Sequence, residues 1–582
     1  MPVVPSTPYV APKQKTLSAI EHQLSQLGLE QLVGVILQHQ RLPDALQKAA
    51  IQELSKRCLQ KEAMEPLFEA GGLGVLVNLI GNCKSFVQFH LLNALINISC
   101  FDQSQVDLEQ AGLLPRLLPL LRDNNKEVFN KALTILTNLM STEFRCETAS
   151  VLASDTDSLL LVLNHLAASA DDGEQLRIVS FFSNFLARPL VDPSQAVKFI
   201  EISGVVTLFK VLITSKNPDI VVAILEMMNL CIVDAGMQKH LVDNRLIPVL
   251  ALLFRNWASN SEILFTATIP LTELTESDTY AQLIVDGGFL SHLLMIVVRP
   301  ESTTLLVCQC SFVLTNLAKL PSARPLFRSI NGLRAMAKVL GHPEDVIRGA
   351  AAETISYLLM EPDIQQEAVA IDLAALLAPL LQKVKSCNAT IRNCLSALRY
   401  LSTSEQVVDT LIEHGAPLRI MQLLSVKDDG AIREYTLAVL ANIAGTPNGK
   451  GVLYDHHCLK ALTFVFSQEA KNYYNQYLCL QAIAQFQAVP GADQVLFSSP
   501  LIPEIIRLSS LDPAGNEDLQ YLVSVAKFVL SKVDPDTYLD SMFDPEDSAP
   551  AATPPSDSVS EPPQQSRQQP PPQQPEQPEQ PE

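Results

Sequence analysis

Apolar blocks alternate with short clusters of Asn, Asp, Ser, Pro and Gly from about residue 19 to residue 540. The most regular of these blocks ends in Leu-x-Asn-Leu or a close variant and reads as the apolar face of a helix. It appears as ALINIS around Asn97, ILTNLM around Asn138, FFSNFL around Asn184 and EMMNLC around Asn229, then as VLTNLA around Asn316 and VLANIA around Asn442. Degenerate copies fill the gaps at Glu273, Tyr357, Tyr400 and Gln485, and weaker ones flank the series at Glu53 and Lys527. The twelve marks are separated by 44, 41, 46, 45, 44, 43, 41, 43, 42, 43 and 42 residues. So steady a period is the signature of a repeat architecture.

The residues around each mark are regular too. About 12 to 14 positions before it lies a helix-start signal, as at Asn125, Asn217-Pro218-Asp219, Ser261-Glu262, His342-Pro343-Glu344 and Asp428-Asp429. A short polar side chain accepts from the free N–H groups of a first turn, and proline suits the first helical position. Some 25 positions before the mark comes a Gly-containing turn: Gly71-Gly72, Gly112, Ser203-Gly204, Gly287-Gly288, Asn331-Gly332 or Gly415. Each unit therefore predicts a short first helix, a sharp turn, a second helix, a polar loop and a longer third helix that carries the mark. No single unit can bury its own apolar face, so neighbours must stack into a continuous core.

These features resemble the armadillo repeat family, whose units have this length, three helices, a Gly after the first and an Asn near the end of the third. The Gly turn and the third-helix Asn favour it over a HEAT array of two-helix units. The resemblance covers residues 19 to 540. It implies an all-α fold, a right-handed α-solenoid superhelix of about twelve three-helix repeats, between disordered N- and C-terminal tails at 1–18 and 541–582.

Composition fits the helical reading. Hydrophobic residues make up 47% of the 582, and aromatics only 6%. The first 18 residues hold four prolines, and the last 42 are rich in Pro, Gln and Glu with almost nothing apolar to bury. Neither tail can offset its ordering entropy, so both are expected to be disordered.

The formal charge is −20, an acidic balance that argues against nucleic acid as main partner. The tail from Ser541 carries eight acids and one base, Arg567, leaving −13 for the rest. Eleven cysteines are scattered singly through apolar runs, as at Cys100, Cys231, Cys394 and Cys479, and read as buried thiols of a reducing compartment. The N-terminus lacks the layout of a secretory signal, and Pro2 stands where myristoylation needs glycine. Apolar stretches such as Phe289–Val298 are too short to span a bilayer. The expected location is cytoplasmic, with the nucleus as a second compartment, and no membrane insertion is expected.

In armadillo proteins of the importin-α and β-catenin type, third helices line a concave groove, and their Asn side chains bond both the N–H and C=O of an extended peptide. An amide has the donors and acceptor for that task. The resemblance carries partner-peptide binding onto Asn97, Asn138, Asn184, Asn229, Asn316 and Asn442, with Asn97 to Asn229 as an unbroken ladder. Against this stands a purely architectural use, in which the same amides tie neighbouring repeats together.

Departures narrow the class. Importin-α places a Trp one turn before its Asn, where this chain has Asn93, Thr134, Ser180, Leu225 and Phe312; its only Trp is Trp257. The N-terminal segment has two lysines and no basic cluster. Nor are the third helices enriched in Lys and Arg as a β-catenin-like groove would be.

Candidate chemistry is sparse. GTPNGKG at 445–451 has one residue too few for a phosphate-binding loop, ends on Gly451 instead of Ser or Thr, and falls where an inter-repeat loop belongs. His456-His457-Cys458 has no second ligand pair at zinc spacing and falls at an inter-helix turn, while Cys308 and Cys310 point to different sides of a helix. The sequons at Asn97 and Asn388 need secretion to matter. The tail has PxxP spacing at Pro572, Pro575, Pro578 and Pro581, a weak SH3-type ligand without a well-placed Arg, and Thr7-Pro8 and Thr553-Pro554 are proline-directed phosphosites in form. No catalytic, metal or cofactor site is expected. The expected function is a non-enzymatic scaffold or adaptor that binds extended partner segments; the alternative is a nuclear transport receptor or chaperone-type client binder.

Overall fold

The structure, a computed structural model, describes residues 17–38, 43–59, 71–141, 147–187, 193–382, 386–426, 428–487, 501–513 and 515–533, with a few single positions besides. The expected C-terminal tail and residues 1–16 of the N-terminal one, with their PxxP and Thr-Pro motifs, lie outside the described residues, while Leu17 and Ser18 open the helix Leu17–Ser25. Among those described, all regular structure is helical.

Every mark falls in a third helix. Glu53 lies in Asp44–Arg57, Asn97 in Ser85–Ser99, Asn138 in Lys126–Leu139, Asn184 in Asp172–Leu186, Asn229 in Pro218–Cys231 and Glu273 in Ser261–Leu274. Asn316 follows in Thr304–Lys319, Tyr357 in Asp345–Leu358, Tyr400 in Asn388–Leu401, Asn442 in Gly430–Gly445, Gln485 in Tyr473–Phe486 and Lys527 in Glu517–Val533. Between them lie short first helices such as Ala235–Asp243 and second helices such as Leu246–Asn256. The chain is an α-solenoid.

The described residues form two compact units, one running through Ile420 and including Val426–Tyr435, the other made of Met421–Ser425 and the chain from Thr436. In the first, consecutive third helices pack on one another from Asp44–Arg57 through Asn388–Leu401. In the second, Tyr473–Phe486 packs on Glu517–Val533. Each third helix buries a broad aliphatic stripe; in Lys126–Leu139 it is Val128, Phe129, Ala132, Leu133, Ile135, Leu136 and Leu139. Such burial contributes about 1.5–3 kcal/mol per large side chain. Aromatics pack together in one layer of the core, where the Phe182 ring sits 5.2 Å from Phe181 and 5.3 Å from Phe199.

Caps follow the sequence closely at some sites. The Asn125 side chain accepts from Glu127 N–H at 3.0 Å, and Asn217 from Asp219 N–H at 2.9 Å. At Ser261-Glu262 the cap is one residue earlier, Asn260, which accepts from two N–H groups at 3.1 Å. Glu344 caps its helix without a side-chain bond.

The sharp turn before most second helices uses a left-handed residue, and glycine serves it in two ways; Gly28, before Leu29–Leu37, and Asp155, before Thr156–Ala168, keep a negative φ instead. Gly112 and Gly288 take the left-handed backbone themselves, at φ 78°. At Ser203-Gly204 and Asn331-Gly332 the left-handed residue is the Ser or Asn, at φ 61° and 58°. The following glycine is needed for closeness, because a Cβ on Gly332 would meet Phe327 Cδ1 at 2.7 Å. Arg245, Asp372 and His457 hold the same turn with no glycine at all.

Two expectations need correction. GTPNGKG is not a loop: Thr446 accepts from Gly449 N–H at 3.2 Å and caps the helix Pro447–Asp455. Cys100 is exposed, because it sits past the last turn of Ser85–Ser99, whereas Cys231, Cys394 and Cys479 are buried. Among the described residues no single helix is long and apolar enough to cross a membrane, although two bent helix pairs reach that length together.

Candidate functional site: the third-helix face

The six marked asparagines are all half-buried at the ends of their third helices. The first three behave alike. Asn97 Nδ2 donates to Ser55 O at 2.8 Å, and Asn184 Nδ2 donates to Thr137 O at 2.9 Å. Asn138 Nδ2 donates to Ser99 Oγ at 2.9 Å and reaches Ile96 O at 3.4 Å. Each acceptor lies in the last turn of the preceding third helix, where carbonyls lack the regular bond from four residues on, although Thr137 O also takes Met140 N–H at 3.2 Å and Ile96 O takes Ser99 Oγ at 2.8 Å. An amide at the end of one helix thus completes the end of the helix before it. Among the described residues, the Oδ1 atoms of these three asparagines accept no hydrogen bond.

Asn229 points the other way. Its Nδ2 donates to Thr266 O in the following third helix at 3.2 Å, and its Oδ1 is buried without a partner. The cause is Pro270, inside the helix Ser261–Leu274. Proline has no N–H to bond the carbonyl four residues back, so Thr266 O is left for Asn229. The run Asn97 to Asn229 is therefore three like members and one reversed. Asn316 donates to Thr275 Oγ1 at 3.1 Å and accepts from Lys319 Nζ at 2.9 Å. Asn442 is partnered as well.

The charge on this face is local. Lys131 Nζ lies 4.3 Å from the Phe89 ring centroid and donates to Asn93 Oδ1. Burial pulls the Lys131 ammonium below its usual range against the nearby Glu127 charge. Burial and the charges of Lys48 and Lys131 likewise lower His90. Lys48, His90 and Lys131 come from three successive third helices, so their bases share one field. Counting Lys and Arg over whole third helices misses this. The legible signal is position, since His90, Lys131 and Arg177 each stand seven residues before an Asn mark.

Further along, tyrosines replace asparagine at the marks. The Arg399 guanidinium lies 4.8 Å from both the Tyr400 and Tyr435 ring centroids, and Nη2 donates to Tyr400 Oη at 2.9 Å. Burial, then the Glu353 charge, pushes the Tyr357 phenol up to about 12. Asn393 donates to Gly349 O at 3.0 Å, another tie between neighbouring third helices. Here cation–π stacking is added, and the amide that ties neighbouring helices, Asn393, stands seven residues before the Tyr400 mark instead of at it.

His457 occupies a left-handed turn, and no group of three metal-ligating side chains occurs among the described residues. Burial raises the thiols of Cys58, Cys231, Cys310 and Cys458 to about 12, out of range for nucleophilic use near neutral pH.

No protein-family model matches the chain, and no curated protein matches it. Solved structures do. A β-catenin structure, from work on a phosphorylation switch controlling the interaction between cadherin and β-catenin, aligns with a TM-score of 0.63 at 15% identity, over 86% of this chain and 99% of that one. The crystal structure of an engineered protein aligns with a TM-score of 0.58 at 21% identity, over 72% of this chain and 99% of that one. The fold is thereby that of a helical-repeat solenoid, similar to these two structures.

Proposed function

We propose that the chain is a non-enzymatic scaffold that binds extended segments of other proteins along its third-helix face, beginning at Asn97, Asn138 and Asn184. One observation carries this reading. In each of the three, Nδ2 is held by the preceding repeat while Oδ1 accepts from none of the described residues, which leaves a fixed acceptor once per repeat. An extended partner has backbone N–H groups to offer, and an amide already oriented loses little entropy in taking one. The tie between repeats and the clamp on a ligand are then two halves of one side chain. The Lys48, His90 and Lys131 field favours a partner segment carrying carboxylates there.

The likeness to the β-catenin structure supports protein binding as a class of function for this fold, as that protein's partner is cadherin. The ten described cysteines are all free, which supports a reducing location, cytoplasmic or nuclear.

The test must spare the ties. Thr134 and Ser180 stand one turn before Asn138 and Asn184 on the same face. Thr134→Arg with Ser180→Arg blocks the face and leaves both amides in place. Affinity mass spectrometry would compare this variant with wild type, after circular dichroism shows equal helicity. Loss of a small, defined set of partners supports the reading. An unchanged set moves binding off this face, and a long list of unrelated clients favours transport or chaperoning.

A further inference from the structure

A second surface lies away from the third helices. The second helices Phe289–Val298 and Gly332–Val339 pack side by side, with the turn and second helix at Ile371–Leu377 following. Between them runs a hollow of about 640 Å3. Ser291, Leu294, Met295 and Val298 form one wall, and Asn331, Arg334, Ala335 and Lys338 form the floor and rim. Both sets are spaced zero, three, four and seven, which is one complete stripe of a helix. The hollow exists because Ala335 is short where its flanks are long.

The apolar flanks are open to solvent. Met295 is 54% exposed, Leu376 45%, and Val298 and Ile330 37% each. Large exposed side chains are unremarkable singly, but four around one hollow are a patch. Its charge is one-sided. Arg334 and Lys338 are the charged lining residues, and no carboxylate lines it, although the chain as a whole carries −20. Arg334 pairs loosely with Glu367 at 3.5 Å, and Lys338 has no ion pair among the described residues.

We infer that this hollow is a docking site for an amphipathic helix of a partner protein, one that presents an apolar stripe flanked by acidic side chains. A helix is favoured over an extended segment by the backbone. The lining offers few polar groups besides Ser291 and Asn331 to satisfy a strand's free N–H and C=O groups, whereas a helix satisfies its own. The fit is ridge into groove, as between neighbouring helices in a core. Three second helices about 8–10 Å apart span roughly 20 Å, matched by about 13 residues of partner helix. Acidic flanks follow from Lys338 and Arg334. This site is independent of the third-helix face.

The test uses the full chain and a fluorescent 14-residue helical peptide with leucines at helical stripe spacing and glutamates flanking them. A scrambled-leucine peptide, a lysine-flanked peptide and mixed neutral and anionic phospholipid vesicles are the comparisons. The acidic peptide is expected to bind in anisotropy and to shift the methyl signal of Met295. Ala335→Trp, which fills the hollow, should weaken it at least tenfold. Lys338→Glu should weaken the acidic peptide several-fold and improve the lysine-flanked one, and this exposed change keeps the test informative if Ala335→Trp unfolds. Thr134→Arg with Ser180→Arg should leave peptide binding unchanged, which separates this site from the third-helix face. Equal binding of the scrambled peptide, or indifference to both hollow variants, overturns the proposal. So does vesicle binding in place of peptide binding, or a wild-type dimer that Ala335→Trp converts to monomer.

Discussion

Asn229 donates its side-chain amide to the carbonyl of Thr266, 37 residues later, at 3.2 Å. That oxygen lacks its helical partner because Pro270 stands four positions on. A defect inside one repeat is thus repaired by a residue of the one before it. The same residue type that closes helix ends at Asn97, Asn138 and Asn184 here mends a helix interior.

This relationship predicts a coupling. Asn229→Ala should cost about 1–2 kcal/mol in the wild-type background, as expected for a lost bond to a buried carbonyl. In a Pro270→Ala background residue 270 regains its N–H and serves Thr266 O directly. The cost of Asn229→Ala should there fall by more than half. A double-mutant cycle by denaturant unfolding measures it, and additive effects would remove the repair interpretation.

Asn138→Ala should loosen the end of the preceding helix more than its own. Hydrogen exchange is expected to rise around Ile96–Cys100 before it rises in the middle of Lys126–Leu139. Uniform change along both helices would mean that Asn138 acts through its own helix and not through the tie at Ser99.

The left-handed turns predict opposite signs for glycine exchange. Arg245, at φ 75°, bears a side chain in a backbone region that costs an L-residue roughly 1–2 kcal/mol. Arg245→Gly should raise stability by about 0.5–1 kcal/mol after the entropy cost of glycine. Gly288→Ala, at φ 78°, should lower it by about 1 kcal/mol. Paired thermal melts read both signs.

Glu174 predicts the acid response of its neighbourhood. Burial by itself would raise its carboxyl, but the hydrogen bonds from Ser169 and Lys126 and the charges of Lys126 and His165 outweigh it and hold the group below the ordinary 4.5. Lys126 Nζ sits 2.9 Å from Glu174 Oε2. A folded pKa below the unfolded one means stability that is present above the unfolded value and lost as pH falls through the folded one. Protection of Asp172–Leu186 should therefore decline as pH drops below about 4.5, and Glu174→Gln should flatten that decline.

Thiol reactivity should divide the cysteines by position. Cys100 and Cys387 are exposed and should react with a thiol reagent at pH 8 in the native protein. Cys58, Cys231, Cys310 and Cys458 are buried with pKa raised to about 12 and should react only on unfolding. Rapid native labelling of Cys310 would show that the interior of Thr304–Lys319 opens.

Much of the fold was legible from residue order because a solenoid is built from local contacts. A period near 42 residues runs through the array, with a side-chain cap before several third helices and a left-handed turn before most second ones. They depend on residues close in the chain, as the Asn125 and Asn217 caps show. The legible part stopped where a role depends on the neighbouring repeat. Nothing in ILTNLM or EMMNLC distinguishes the amide that reaches back, Asn138, from the one that reaches forward, Asn229.

The amino-acid sequence alone determined the class: helices three to a unit, about twelve units, apolar faces that only a neighbour can cover. Tertiary structure decided what each asparagine bonds, why Gly332 must be small, and where bases or short side chains gather into a surface. Helical period is set by bonds four residues apart. The field around His90, the repair at Thr266 and the hollow over Ala335 are set by atoms some forty residues apart, whose meeting depends on how one repeat seats on the next.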